Sequence, residues 1–293
     1  MLHDDKENFL KVLETTSAQT GFPLLLLEKD YYLTMVLSGM DHLSENLIFK
    51  GGTCLNKIYY SYYRLSEDLD FIMRLPSEKL PRAGKRKIIK PIKDNILSYV
   101  NSYGMTIDDV NNTSHKESSQ YIFYIDYNSA VLGNKQSIKL EIGLRFNPVL
   151  TVSKQKVSHK FIHPFTKEPL FDAGYVNCLS LKELVAEKMR ATATRLTIAP
   201  RDFYDISFLI KAGFNFGDGK LWQLFKRKLS EDGFETNLAK YRINMGRSQE
   251  EITDMSSRIK AELLDVLTPG ERKTFDLNES LQLMKDTFKT LEC

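Results

Sequence analysis

Little in this chain can cross-link, bind zinc or enter a membrane. Its 293 residues hold only three cysteines, Cys54, Cys178 and Cys293. They are far apart and odd in number, which argues against a disulfide scaffold and for a reducing compartment. None forms a Cys-x-x-Cys pair, so a structural zinc site is not expected. Long apolar runs are missing too. The N-terminus, MLHDDKENFLKVLE, is charged from residue 4 on and has no signal-peptide core. The longest apolar cluster near it, residues 22–27, contains Pro23 and is far too short to span a bilayer. A cytoplasmic protein with no membrane partner is expected. An excess of one charge sign is also lacking. The 41 Lys and Arg against 38 Asp and Glu leave +3, which excludes a histone-like polycation but not a local basic patch. There is no internal repeat and no low-complexity tract. What remains, 42% hydrophobic and 27% charged, is an ordinary globular composition with length for about two domains.

Residues 5–40 read as helical with a break at Gly21-Phe22-Pro23, because Phe9, Leu10, Val12 and Leu13 recur at helical spacing. Leu47-Ile48-Phe49 is strand-like. Gly51-Gly52-Thr53 ends it and opens a helical stretch predicted over Cys54 to Arg64, and Asp68 to Met73 is the next strand. Residues 79–93 carry seven basic residues and no acidic one, broken by prolines, and an amphipathic helix is expected after them to about Tyr103. Tyr121 to Tyr127 is β-rich. Ile138 to Phe146 alternates strictly, with Lys139, Glu141, Gly143 and Arg145 on the polar face. Residues 149–157 and 161–165 are weaker strand candidates. After Cys178 the pattern turns helical. Ser180-x-x-Glu183 reads as a capping box, and further helices are predicted at 201–212, 219–230, 234–245, 248–266 and 277–290. The expected division is 1–177, α and β mixed, and 178–293, nearly all α.

The most informative segment runs from Ile48 to Ile72: a strand, two glycines, a helix, then a strand carrying Asp68-x-Asp70. Two glycines let backbone N–H groups approach a phosphate at a helix start. Alternate strand residues share a face, so Asp68 and Asp70 project side by side. Adjacent carboxylates repel unless a cation lies between them, and oxygen ligands suit Mg²⁺. Phosphate and Mg²⁺ together mean nucleotide chemistry. Each part alone also reads as a plain turn or a solvated edge; their order makes the combination specific.

KGGTCLNKIYYSYYRLSEDLDF resembles the signature of the AbiEii/AbiGii nucleotidyltransferase toxin family, within the DNA polymerase β-like nucleotidyltransferases. Residues 27–32 (LEKDYY) resemble that family's lead-in helix, Lys139-Leu140-Glu141 its second motif, and residues 184–190 with Arg201-Asp202-Phe203-Tyr204-Asp205 its third and fourth; together the resemblance covers about residues 27–210. It implies an α+β polymerase β-type domain with a mixed sheet, followed by an all-α helical-bundle domain. It implies transfer of a nucleotide from an NTP, with Mg²⁺ or Mn²⁺ on Asp68, Asp70 and Glu141. Gly51, Gly52, Thr53, Ser66 and Arg201 are the implied nucleotide contacts, and Lys188 and Asp205 would position the triphosphate. It also implies a toxin of a type IV toxin–antitoxin or phage-defence pair, acting on tRNA, with an antitoxin encoded nearby that need not bind it.

The residues carry bland alternatives beside these roles. Glu141 also fits a solvent-facing strand of mixed charge, and Asp126 is a lesser candidate for its place. Lys188 falls on the apolar stripe of Leu181, Leu184 and Val185, with Arg195 seven residues on, so it either reaches phosphate or snorkels to water. Asp202 reads best as an N-cap, whereas Asp205, beside Ile206, Phe208 and Leu209, needs a cation, for which Lys188 is the natural partner. Ser66 fits a turn serine as well as a phosphate contact or a modified residue. Lys50 and the Thr53 hydroxyl can reach phosphate. The run 79–93 is either a nucleic-acid contact or a solvated face. Tyr59, Tyr60, Tyr62 and Tyr63 either stack a base or pack the core.

Overall fold

The computed structural model describes residues 1–77 and 79–289; Cys293 and the end of the helix predicted to residue 290 lie outside them. The chain divides into two compact units, Met1–Leu179 and Ser180–Cys293.

The first unit begins with helices α1 (Lys6–Thr20), α2 (Leu24–Ser38) and α3 (Met40–Leu43). Asp5 caps α1 by accepting from the Asn8 amide, and Gly21, at φ 75°, ends it in the left-handed region that glycine enters without strain. Strand β1 (Leu47–Lys50) leads into α4 (Gly51–Cys54), a π-helical turn (Leu55–Tyr59) and strand β2 (Asp68–Met73). Helix α5 (Arg82–Asn101) precedes β3 (Ser114–His115), β4 (Gln120–Asn128), β5 (Lys135–Gly143), β6 (Ser153–Lys156) and β7 (Tyr175–Cys178). These strands form one mixed seven-stranded sheet in the order β3-β4-β5-β2-β1-β7-β6. β2 runs antiparallel to β1 and parallel to β5, while β4 and β5 form an antiparallel hairpin. One sheet face is apolar across its centre: Leu69, Phe71, Phe123, Leu140 and Ile142 are all buried. Strict alternation therefore leaves the other face to Asp68, Asp70, Lys139 and Glu141.

Several expectations are corrected here. The helix predicted to Arg64 ends at Tyr59, because Ser61 and Tyr62 take positive φ (40° and 70°) and turn the chain back. The basic run is not a lead-in to a helix but its first half. Pro81 caps α5, where its ring costs nothing, and Pro91 is carried inside it. β5 stops at Gly143, before Arg145 and Phe146. Residues 161–165 form no strand, only the isolated bridge Ile162↔Pro169. β7, with only four residues, gives too short an apolar run to read from sequence.

The second unit consists, among the described residues, of α6 (Leu181–Thr194), α7 (Pro200–Lys211), α8 (Gly219–Glu231), α9 (Gln249–Glu262), α10 (Pro269–Thr274) and α11 (Leu277–Lys289), with short 3-10 turns. The helix predicted at 234–245 is instead two such turns, and α10 was not predicted. Ser180 does cap α6 through the Glu183 amide, but the Glu183 carboxylate binds Lys228 at 2.8 Å, because buried Lys228 needs the charge more than the cap does. No helix among the described residues is long and apolar enough to cross a membrane.

Candidate active site

Three strands bring the predicted carboxylates together. Lys50 at the end of β1 lies opposite Asp70 on β2, and Asp70 lies opposite Glu141 on β5. One rung along, Asp68 lies opposite Lys139. Five charged side chains thus share one face of adjacent strands, three of them acidic. Burial raises the Asp70 carboxyl above its ordinary value; Lys50 pulls it down, and the charges of Glu141 and Asp68 add to the rise. Glu141 goes the other way. Burial pushes it up, but the Lys139 ammonium at 2.9 Å, helped by Gln120 and Lys50, holds it below its usual range. Lys139 in turn is raised: burial lowers it, and Glu141, Asp68 and Asp70 outweigh that.

The glycine turn closes onto this rung. Gly51 has φ 78°, and a Cβ there would overlap Oδ2 of Asp70. A Cβ on Gly52 would stand 2.7 Å from a guanidinium nitrogen of Arg64 and 3.4 Å from Oγ of Ser66. Gly51 is therefore required for the backbone to approach β2, whereas a side chain at Gly52 would displace the end of Arg64. Arg64 is buried, donates to the Leu65 carbonyl at 2.8 Å and covers the Tyr63 ring. It places a fixed positive charge against the turn, a role not assigned from sequence, although Arg64 opens the segment that carries the aspartates. The Thr53 hydroxyl is turned inward: it donates to the Asp68 carbonyl at 2.5 Å and lies 2.8 Å from Oγ of Ser66. A hydroxyl carries one proton, so Ser66 donates to Thr53. These two hydroxyls tie the turn to β2.

A second set of buried groups holds the π-helical turn. Lys57, fully buried, pairs with Asp30 of α2 at 2.7 Å and donates to Thr34 and Tyr62. Tyr62 donates to Asp30 at 2.7 Å. Burial pushes the Lys57 ammonium below its ordinary value, with Asp30 opposing. Tyr62 and Tyr63 are thus core residues, not a base platform. An exposed aromatic on the carboxylate face is Tyr124 of β4, 58% exposed and opposite Lys139. Asp126 lies one step further along that face and pairs with Lys135 at 3.2 Å, away from Asp70.

In the second unit, Lys188 of α6 lies 2.8 Å from both Asp202 and Asp205 of α7, and Arg195 lies 3.1 Å from Asp202. The predicted Lys188–Asp205 pair is present. The N-cap reading of Asp202 is wrong: the cap position is Ala199, and Asp202 sits in the first turn of the helix. With Asp205 three residues on, it shares a helix face and clamps Lys188 from the other side. Arg201, at the start of α7, is partly exposed.

The donor chemistry can be tested against a divalent cation. Asp68 and Asp70 offer only hard oxygens, and like charge beside a buried Asp70 is relieved by a cation. Glu141 is held by Lys139, and among the described residues no three His, Cys, Asp or Glu side chains are gathered closely enough to hold a metal. The aspartate pair fits such an ion; Glu141 would join by leaving Lys139.

A strand–Gly-Gly–helix–strand unit with paired carboxylates, on a mixed sheet, defines a nucleotidyltransferase. The family model "Nucleotidyl transferase AbiEii toxin, Type IV TA system" matches residues 36–278, and the chain belongs to that family. Solved structures of similar fold include a putative nucleotidyltransferase from H. pylori (17% identity, TM-score 0.55, covering 90% of this chain and 93% of that one). JHP933 from Helicobacter pylori is 16% identical, with TM-score 0.56 and 92% of each chain covered. MenT4, a nucleotidyltransferase toxin from Mycobacterium tuberculosis H37Rv, is 16% identical, with TM-score 0.55, and the match covers 92% of this chain and 93% of MenT4. At these identities the likeness is one of fold. No curated protein matches the chain.

Proposed function

We propose that this toxin-family nucleotidyltransferase transfers a nucleotide from an NTP to the end of an RNA, such as the 3′ end of a tRNA, and so blocks translation. The rung Lys50–Asp70–Glu141, closed by the Gly51 turn, is the observation that carries this reading. Asp68 and Asp70, with Glu141, would hold Mg²⁺ or Mn²⁺. That ion, when bound, supplies charge stabilisation at the transferring phosphoryl group.

The remaining work falls to the chain itself. The amides of Gly51 and Gly52 bind the β- and γ-phosphates, with Arg64 fixed behind them. Lys50 neutralises charge beside Asp70. Ser66 and Thr53 keep the turn at its distance from β2. In the helical unit, Lys188, set by Asp202 and Asp205, is assigned to the triphosphate, and Arg201 to phosphate. An acceptor hydroxyl attacks the α-phosphorus in line; the new P–O bond forms as the bond to pyrophosphate breaks. Positioning and charge account for the catalysis. Reading 1–177 as the catalytic domain and 178–293 as a helical-bundle domain belongs to this proposal. So do a cytoplasmic location, a role in phage defence and an antitoxin encoded nearby.

The test incubates purified protein with each labelled NTP, Mg²⁺ and total RNA. Label is expected in RNA, lost on chelation and in Asp68→Ala and Asp70→Ala. Label appearing on protein or a small molecule instead would replace the RNA acceptor, and transfer that survives both substitutions would overturn the site.

A further inference from the structure

The apolar face of the sheet carries a second polar feature. Helix α5 covers the β4 end of that face, and between them lies a groove of about 430 Å³ lined by Arg86, Lys90 and Lys93 of α5 and by Ser114 and Tyr121. Arg82, Arg86, Lys90 and Lys93 recur at spacings of four, four and three, so they form one stripe along the helix. The acid lining the groove is Asp94, paired with Lys90 at 2.5 Å, so three cations face one carboxylate. Tyr121 is 2% exposed, and its buried hydroxyl has no hydrogen-bond partner among the described residues. A buried hydroxyl without a partner is costly, and such a group in a native fold calls for a ligand atom. The turn beside it is also unusual. Lys116, Glu117 and Ser118 all take positive φ (46°, 56° and 63°), which brings buried Ser118 under the guanidinium groups of Arg82 and Arg86, at 3.4 Å each. That contact steadies the two arginines.

We propose that this groove binds the phosphodiester backbone of a single RNA strand, at a site separate from the carboxylate rung. Cations on one stripe with a hydroxyl donor at the floor match phosphate oxygens, which accept from both. The stripe from Arg82 to Lys93 is about 17 Å long, enough to follow successive phosphates rather than hold one free anion. Tyr121 pairs with Ile142, and its neighbour Ile122 pairs with Glu141. Alternation therefore places the groove on the face opposite Glu141. β4 is next to the short edge strand β3, so a strand bound in the groove can pass round that edge toward the carboxylate face. The proposal rests on RNA being the acceptor, but its test is binding, not transfer.

The experiment measures the affinity of the full chain for a short mixed-sequence single-stranded RNA, without NTP, over a series of salt concentrations. The triple variant Arg86→Gln, Lys90→Gln, Lys93→Gln is expected to bind at least about 10-fold more weakly, with the log–log salt slope lowered by about 2. Tyr121→Phe is expected to weaken binding about 5- to 10-fold while keeping the wild-type thermal midpoint, because the hydroxyl it removes has no partner to lose. An unchanged affinity and slope in the triple variant would overturn the proposal, as would displacement of RNA by micromolar inorganic phosphate, which would make a free anion the ligand. RNA binding that depends on the groove, in a protein that transfers no nucleotide to RNA, would leave the groove standing and defeat the proposed function; transfer to RNA with groove variants unchanged would do the reverse.

Discussion

Two clusters of acid and base, one in each unit, use the same residue types to different ends. Lys188 and Arg195 meet Asp202 and Asp205, two charges against two, with both carboxylates buried and Arg195 reaching in from the surface. On the sheet, Lys50 and Lys139 meet Asp68, Asp70 and Glu141, two against three. In the first cluster each carboxylate has a cation within 3.1 Å. The second has one more carboxylate than cation, and Asp70 within it is raised, chiefly by burial, with the charges of Glu141 and Asp68 adding to the rise. Matched charges position groups, whereas surplus carboxylate charge beside a backbone turn is relieved by a cation.

The strongest way to break this contrast is at Asp70. Asp70→Ala should reduce nucleotide transfer by on the order of 10³-fold and leave the thermal midpoint unchanged or raised, since it removes like-charge repulsion; activity and melting measured on one preparation check both. Lys188→Met should do the opposite in kind. It leaves Asp205, fully buried, without its 2.8 Å partner and should cost about 3–5 kcal/mol in urea unfolding. Adding Asp205→Leu should recover part of that, because Asp202 keeps Arg195. A Lys188→Met protein of wild-type stability would mean that the cluster is not balanced as described. A smaller effect is expected at Glu141. Glu141→Gln frees Lys139 and removes the third carboxylate, and transfer should fall about 10- to 100-fold with little change in NTP affinity; equal losses in both would assign Glu141 to binding. The smallest is a control outside both clusters. His159 stacks on Phe171, interacts with its carbonyl through Nε2 and accepts from the Phe161 amide at Nδ1, so it is held neutral. Burial lowers its value below 6.5, with the Phe171 carbonyl opposing. A depressed histidine contributes stability fully above 6.5 and loses it as pH falls through the lower folded value. Denaturation midpoints in His159→Gln should flatten below pH 6.5 relative to wild type, and an unchanged acid limb would remove His159 from the account.

Much of the carboxylate site was legible because its signals are local. The Gly51-Gly52 turn, the Asp68-x-Asp70 alternation and the polar face of β5 are periodicities of two or neighbours in sequence. The Lys188–Asp205 pair was readable from a charged residue on an apolar stripe. Arg64 and Lys57 were missed because what they face, the open side of Gly52 and Asp30, is distant in sequence or carries no side-chain signal. Asp202 was misread because an aspartate near a proline looks like a cap until the cation across the helix pair is seen. The failed helix at 234–245 and the unforeseen β7 reflect tertiary context overriding weak local preference.

By itself the sequence determined the chemistry on offer: paired aspartates, a glycine turn and a basic stretch. Only the tertiary structure decided which of these meet. Strand register, set by burying one apolar face, put Asp70 between Lys50 and Glu141, and the same alternation sent the basic helix to the opposite side of the sheet. A one-residue slip in β5 would have turned Glu141 away from Asp70, and no local pattern in the chain specifies the partner of a strand, only its faces.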